Sequence, residues 1–139
     1  MLTPDTPHSG RERTLTQLDH ARLSRLQEHQ GDLGPVLNDT LDMSDLVDPR
    51  DIAADVVTMN SRVLLAEAGR EQPQELTLCY PDQAQASEGR VSVLSPVGAS
   101  LLGAQVGRTV QWTLPGGAPR QAVVQALVYQ PESAGDLLR

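Results

Sequence analysis

Between residues 95 and 107 the chain runs SPVGASLLGAQVG, and Gly98 and Gly103 stand at the spacing of a phosphate-binding loop. Such a loop needs a lysine for the β- and γ-phosphates and a hydroxyl for Mg²⁺ directly after its last glycine. Here Ala104 and Gln105 follow Gly103, and the chain contains no lysine at all. The phosphate reading fails on chemistry. Histidines fare no better as metal ligands. His20 and His29 are nine residues apart and fall on opposite faces of a helix, while His8 lies in a separate stretch. Ser95 and Ser100 have no histidine within their half of the chain to act as a base. Cys79 sits within LTLCY, a strand-like context that suits a small buried apolar residue better than a nucleophile. The acids Asp39, Asp42 and Asp45 repeat every third residue. That spacing spreads carboxylates along a rod, as on a solvated helix face, instead of converging them on a cation. No catalytic residue, metal site or cofactor is expected.

The elements that carry these residues can be read from periodicity. Residues 1–13, rich in Pro, Ser, Gly and charge, are expected to be a disordered tail. Thr16 followed by Asp19 has the form of a capping box and predicts a helix to about His29. The stretch 30–34 breaks it, and Pro35 is well placed to open a second helix to about Val47. Together they predict a short antiparallel helical hairpin, a coiled coil over 14–54, spanning roughly 20 Å at 1.5 Å per residue. Asp32 stands at its tip as a lone acid, the usual position of a turn or cap residue.

From Asp55 the pattern changes. Residues 56–66 and 75–80 are strand-like and can form a hairpin around Gly69, and 91–94 is a further short strand. A brief helix is expected over 97–104, followed by strands over 109–114 and 120–129 around the turn Pro115-Gly116-Gly117. The reading is an α+β fold: an antiparallel sheet with a short packed helix over 55–139, preceded by the hairpin.

Composition narrows the function. A formal charge of −7 from 18 acids and 11 arginines, with no basic run, argues against direct sequence-specific nucleic-acid binding. Only Tyr80, Trp112 and Tyr129 are aromatic, which removes most options for stacking bases or building an aromatic ligand cage. A single cysteine excludes an internal disulfide and suits a reducing compartment. No signal-like or membrane-spanning apolar run is present, so no membrane partner and a cytoplasmic location are expected.

Four separated segments then carry a resemblance: DVVTMNSRV (55–63), VSVLSPVGASLLGAQVG (91–107), WTLPGG (112–117) and YQPESAGDL (129–137). Together they are similar to the Rnk-type regulators of nucleoside diphosphate kinase within the GreA/GreB transcription elongation factor family. The resemblance implies an FKBP-like C-terminal domain and one protein partner, bacterial RNA polymerase, bound near its secondary channel in competition with Gre factors. Carried onto this chain, Ser95, Pro96, Val97 and Gly98 are the implied polymerase-binding loop. Leu101, Leu102, Gly103 and Gly107 support it, the leucines by anchoring the short helix and the glycines by ending it. Where Gre-type sequences place an acid after the glycine matching Gly107, this chain has Arg108. Cleavage factors deliver paired acids on a long hairpin, whereas this hairpin is short and offers only Asp32. The expectation is a monomeric polymerase-binding regulator that does not stimulate transcript cleavage. The alternatives weighed are an active cleavage factor using the hairpin tip and an FKBP-like prolyl isomerase; scarcity of aromatics speaks against the second.

Overall fold

The computed structural model describes residues 13–136. The expected disordered tail lies outside the described residues, apart from Arg13.

The first element is a short strand, β1 (Thr14–Thr16), which runs directly into helix α1 (Gln17–Gln30). Thr16 caps that helix as its type predicts, its hydroxyl accepting from the Asp19 amide at 3.0 Å. After the turn at 31–34, Pro35 opens helix α2 (Pro35–Met43). Helix two was expected to reach Val47, but it stops at Met43. Asp45–Val47 is instead a strand, β2, paired in parallel with β1. Leu15, at the centre of β1, is 1% exposed. Pairing satisfies the backbone on both sides of a residue that the core requires, which a continued helix on one strand alone would not.

The main sheet has five strands in the order β5-β4-β3-β7-β6. They are β3 (Arg62–Glu67), β4 (Gln74–Cys79), β5 (Arg90–Ser92), β6 (Thr109–Thr113) and β7 (Pro119–Tyr129). The predicted hairpin around Gly69 is present as the antiparallel pair β3–β4. The sheet is mixed, however, and not wholly antiparallel, because β4 and β5 run parallel. Two short 3-10 turns, Pro81–Gln83 and Ala86–Glu88, carry the chain back to the start of β4. Residues 56–61, expected as strand, form a buried connection. Its amides and carbonyls bond to Ala104, Gly103 and Leu78, and Asn60 adopts φ +69. A ladder partner is therefore unnecessary there, and the strand begins only at Arg62.

One core unites these parts. Leu23, Leu33, Leu37 and Leu41 of the helical hairpin belong to the same buried cluster as Val63, Leu78, Val93 and Val124 of the sheet. The two helices are antiparallel, with His20 bonded to the Leu41 carbonyl and Gln27 to Asn38. The hairpin lies along the sheet domain with its leucines inward. No helix among the described residues is long and apolar enough to cross a membrane.

Candidate functional site

The segment that follows β5 is built from local polar contacts. Ser95 donates its hydroxyl to the Ser92 carbonyl at 2.7 Å and accepts from the Gly98 amide at 3.1 Å. It is thus the N-cap of a helix, α3 (Pro96–Leu101), whose first residue is proline. Pro96 lacks an amide proton where none is needed and has its φ already set for helix. The four residues expected as a loop are therefore the cap and first turn of a helix. Pro96 is exposed and Ser95 and Val97 are half-buried, while Gly98 is buried. Gly98 is required by space and not by its dihedrals: a Cβ there would stand 2.0 Å from the Ser92 carbonyl oxygen.

Leu101 and Leu102 are fully buried, each contributing about 1.5–3 kcal/mol by leaving water, and they fix α3 to the sheet. Gly103, with φ +79, follows them in a turn packed against Arg13 and Thr14. An added Cβ would come within 3.1 Å of the Thr14 carbonyl oxygen, so this glycine joins the N-terminal strand to α3. The helix has already ended at Leu101. Gly107 therefore does not terminate it, and serves with φ +93 in the turn entering β6, its amide donating to Val124.

Ser95 and Pro96 line a groove of about 720 Å³. Its other walls come from Trp112 and Gln111 on β6, Arg120 on β7, and Pro35 and Val36 beyond the hairpin tip. The Arg120 guanidinium stacks over the Trp112 ring at 5.9 Å and is held from behind by Glu67. That hydrogen bond holds the Glu67 carboxyl below the usual carboxylate range. Val36, 46% exposed, leaves an apolar edge on the rim. Val97 packs against the core and does not face the groove. The arrangement suits an apolar and cationic surface for a protein partner, and its lining holds no histidine or carboxylate to serve its hydroxyls as a base.

Spatial folding adds what the segment's own spacing did not contain. Trp112 and Arg120 reach the groove because β6 and β7 pair in register, Trp112 opposite Arg120. Their alternation could have been read, but their meeting with Pro96 depends on tertiary packing.

Asp32 lies apart from this groove's lining and is exposed. Its Oδ1 accepts from the Gly34 amide at 2.9 Å and from the Asn38 side-chain amide at 2.6 Å. Those bonds hold its carboxyl below the usual range, the Gly34 amide contributing most. Asp32 is therefore a turn-forming acid. Asp39, Asp42 and Asp45 are exposed, and no group of three potential metal ligands converges among the described residues. Cys79 is buried, its thiol donating to the Val91 carbonyl at 3.4 Å, and burial pushes the thiol upward.

A second polar centre was not anticipated. Asp19 is only 3% exposed; its Oδ2 accepts the Met59 amide at 3.0 Å, and its carboxyl also hydrogen-bonds with the Thr16 side chain that caps the helix. Thr58 donates to Glu132 at 2.7 Å and shares a hydrogen bond with Ser61 nearby. Burial pushes the Asp19 carboxyl up to about 6, despite the Met59 amide acting in the other direction, with Glu132 adding repulsion. This centre fastens α1 to the connection before β3.

Comparison with known proteins now bears on the arrangement. A family model described as Transcription elongation factor, GreA/GreB, C-term, matches residues 52–128. The regulator of nucleoside diphosphate kinase from Escherichia coli (strain K12) is 41% identical over 128 residues, covering 89% of this chain and 94% of that protein. The transcription elongation factor GreA of Chloroherpeton thalassium is 35% identical over 92 residues, covering 66% of this chain and 58% of its own. Among solved structures, a prokaryotic transcription elongation factor GreA/GreB from Nitrosomonas europaea superposes with a TM-score of 0.71 at 33% identity. That match covers 85% of this chain and all of the other.

Proposed function

The chain belongs to the GreA/GreB transcription elongation factor family, and from that premise we propose that it is a Rnk-like, polymerase-binding regulator. In this reading it binds bacterial RNA polymerase near the secondary channel through the Ser95–Pro96 groove. It competes there with Gre factors and does not stimulate transcript cleavage. The sheet domain is read as FKBP-like, with residues 14–54 as its helical appendage. A relative matched over 89% of this chain is a regulator of nucleoside diphosphate kinase, which supports a regulatory role.

The single observation that carries the proposal is the built geometry around Pro96. Ser95 caps the helix, Gly98 lets it approach Ser92, and Leu101 and Leu102 anchor it. The result is an exposed proline beside Trp112, an apolar and aromatic anchor of the kind that dominates protein interfaces. Absence of cleavage is supported by the hairpin. Its leucines are spent on the core, and Asp32 is committed to Gly34 and Asn38. Among the described residues no group of three or more potential metal ligands forms around it.

Capture of core polymerase on the immobilised chain tests this reading, using Pro96→Asp and Trp112→Ala. Both positions lie on the groove and outside the fully buried core. Binding by the parent chain and its loss in both variants is expected. Equal binding by all three proteins overturns the assignment of this groove.

A further inference from the structure

A larger cleft lies elsewhere in the molecule and shares no residue with the Pro96 groove. Its volume is about 1190 Å³, at or above the upper limit of the roughly 300–1,000 Å³ typical of small-molecule sites. One wall is the face of α1 on which Arg22, Arg25, Leu26 and His29 fall at helical spacing. The other is built from Tyr80, at the end of β4, and Arg90, which opens β5.

The charge of this cleft runs against that of the chain. Overall the protein is −7, yet three of its 11 arginines face this one space. Asp82 is the one carboxylate in the lining. Arg90 is fixed in place, donating to the Gln83 carbonyl and the Gln85 side chain at 3.0 Å each, and paired with Glu88 at 3.2 Å. Arg22 acts on Asp19 and Tyr80. Arg25 is exposed and makes no ion pair among the described residues, so its guanidinium fork remains available. His29 donates its Nδ1 proton to the Arg25 carbonyl at 3.0 Å, which leaves its other ring nitrogen uncommitted. Between these groups Leu26 and the half-buried Tyr80 ring supply an apolar surface.

Guanidinium groups on facing walls suit an anion with several oxygens: the Arg25 fork can engage two of them, while Arg90, whose Nε and Nη2 are bonded to Gln83 and Gln85, adds positive charge and its remaining donors. An apolar, partly aromatic floor suits a flat organic body attached to that anion. We propose that the cleft between α1 and the β4–β5 edge binds a nucleoside diphosphate, with Arg25 and Arg90 holding the phosphates and Leu26 and Tyr80 covering the base. A long nucleic acid fits less well, since the chain as a whole carries a formal charge of −7.

Titration calorimetry on the full chain with ADP, inorganic pyrophosphate and adenosine separates the two halves of the site. ADP is expected to bind, pyrophosphate more weakly, and adenosine weakest. Arg25→Glu, at an exposed position, is expected to leave the unfolding midpoint unchanged and to weaken ADP about tenfold or more. Arg90→Gln is expected to weaken it similarly. Absence of ADP binding at millimolar concentration overturns the proposal, as does binding unaffected by Arg25→Glu. A single-stranded RNA oligomer or a poly-glutamate peptide that binds more tightly than ADP, and loses affinity in Arg25→Glu, overturns the small-ligand assignment in favour of a macromolecule.

Discussion

Asp19 offers a pH dependence whose sign and size follow from its surroundings. It is 3% exposed, takes one backbone hydrogen bond from Met59, and faces Glu132, Arg22 and Tyr80. Burial is the largest influence and raises the carboxyl from 3.8 to about 6. Between those values the native state holds a proton that the unfolded chain has released. Stability from this group is therefore complete below 3.8 and is lost as pH rises through 6. At about 1.4 kcal/mol per pH decade, the loss amounts to about 3 kcal/mol in order of magnitude. Asp19→Asn keeps an acceptor for the Met59 amide and cannot ionise. Unfolding in urea at pH 4, 5, 6 and 7, followed by fluorescence of the single tryptophan, Trp112, measures both proteins. The asparagine variant is expected to gain on the parent by about 2 kcal/mol from pH 4 to pH 7, somewhat less than the full loss because the unfolded carboxyl is already mostly ionised at pH 4. Asp32, Asp48 and Glu67 have lowered values, so their contributions fade as pH falls and are common to both proteins. They cancel in the difference. A gap that stays constant, or that closes as pH rises, refutes the burial argument.

Three further outcomes follow from single contacts. Gly98→Ala drives a Cβ against the Ser92 carbonyl at 2.0 Å and should cost about 2–4 kcal/mol, whereas Gly107→Ala, strained only by φ +93, should cost about 1 kcal/mol; urea midpoints in the reverse order contradict this. Leu37→Ala, at a fully buried hairpin position, should destabilise by about 2–5 kcal/mol and shift the Trp112 transition as a whole. A hairpin that melts separately, leaving that transition in place, shows that the two parts do not share one cooperative core. Asp32→Ala removes two hydrogen bonds at the tip, and transcript release from backtracked polymerase complexes should be the same for variant and parent; cleavage by the parent that vanishes in the variant reverses the reading of this acid.

Local signals predicted the elements whose causes are local. Thr16 as a cap, Pro35 as a helix start and the Gly69 turn each act within a few residues, and each was found as expected. Elements decided by distant partners were misread. Asp45-Leu46-Val47 continued a three-residue acidic rhythm and looked helical, but its backbone is claimed by Thr14–Thr16. VVTMNS has the composition of a strand, yet its polar groups are satisfied by Ala104, Gly103, Leu78 and Asp19, so it becomes a buried turn. A parallel β4–β5 pair was unexpected because so short a connection rarely returns a chain to the same end of a sheet. At the groove, the Ser95–Gly98 segment was legible from its residues, while Trp112 and Arg120 join it only through strand register and packing. The arginine cleft was invisible for the same reason, its charges being scattered from Arg22 to Arg90 along the chain.

The most direct test of polymerase binding at the channel is competition. Core RNA polymerase loaded with a fluorescent GreA-type factor is titrated with this chain, and displacement is read by anisotropy. Displacement by the parent chain, lost with Pro96→Asp, is the expected result; simultaneous binding of both proteins, or displacement unchanged by Pro96→Asp, contradicts docking of this groove at the shared site.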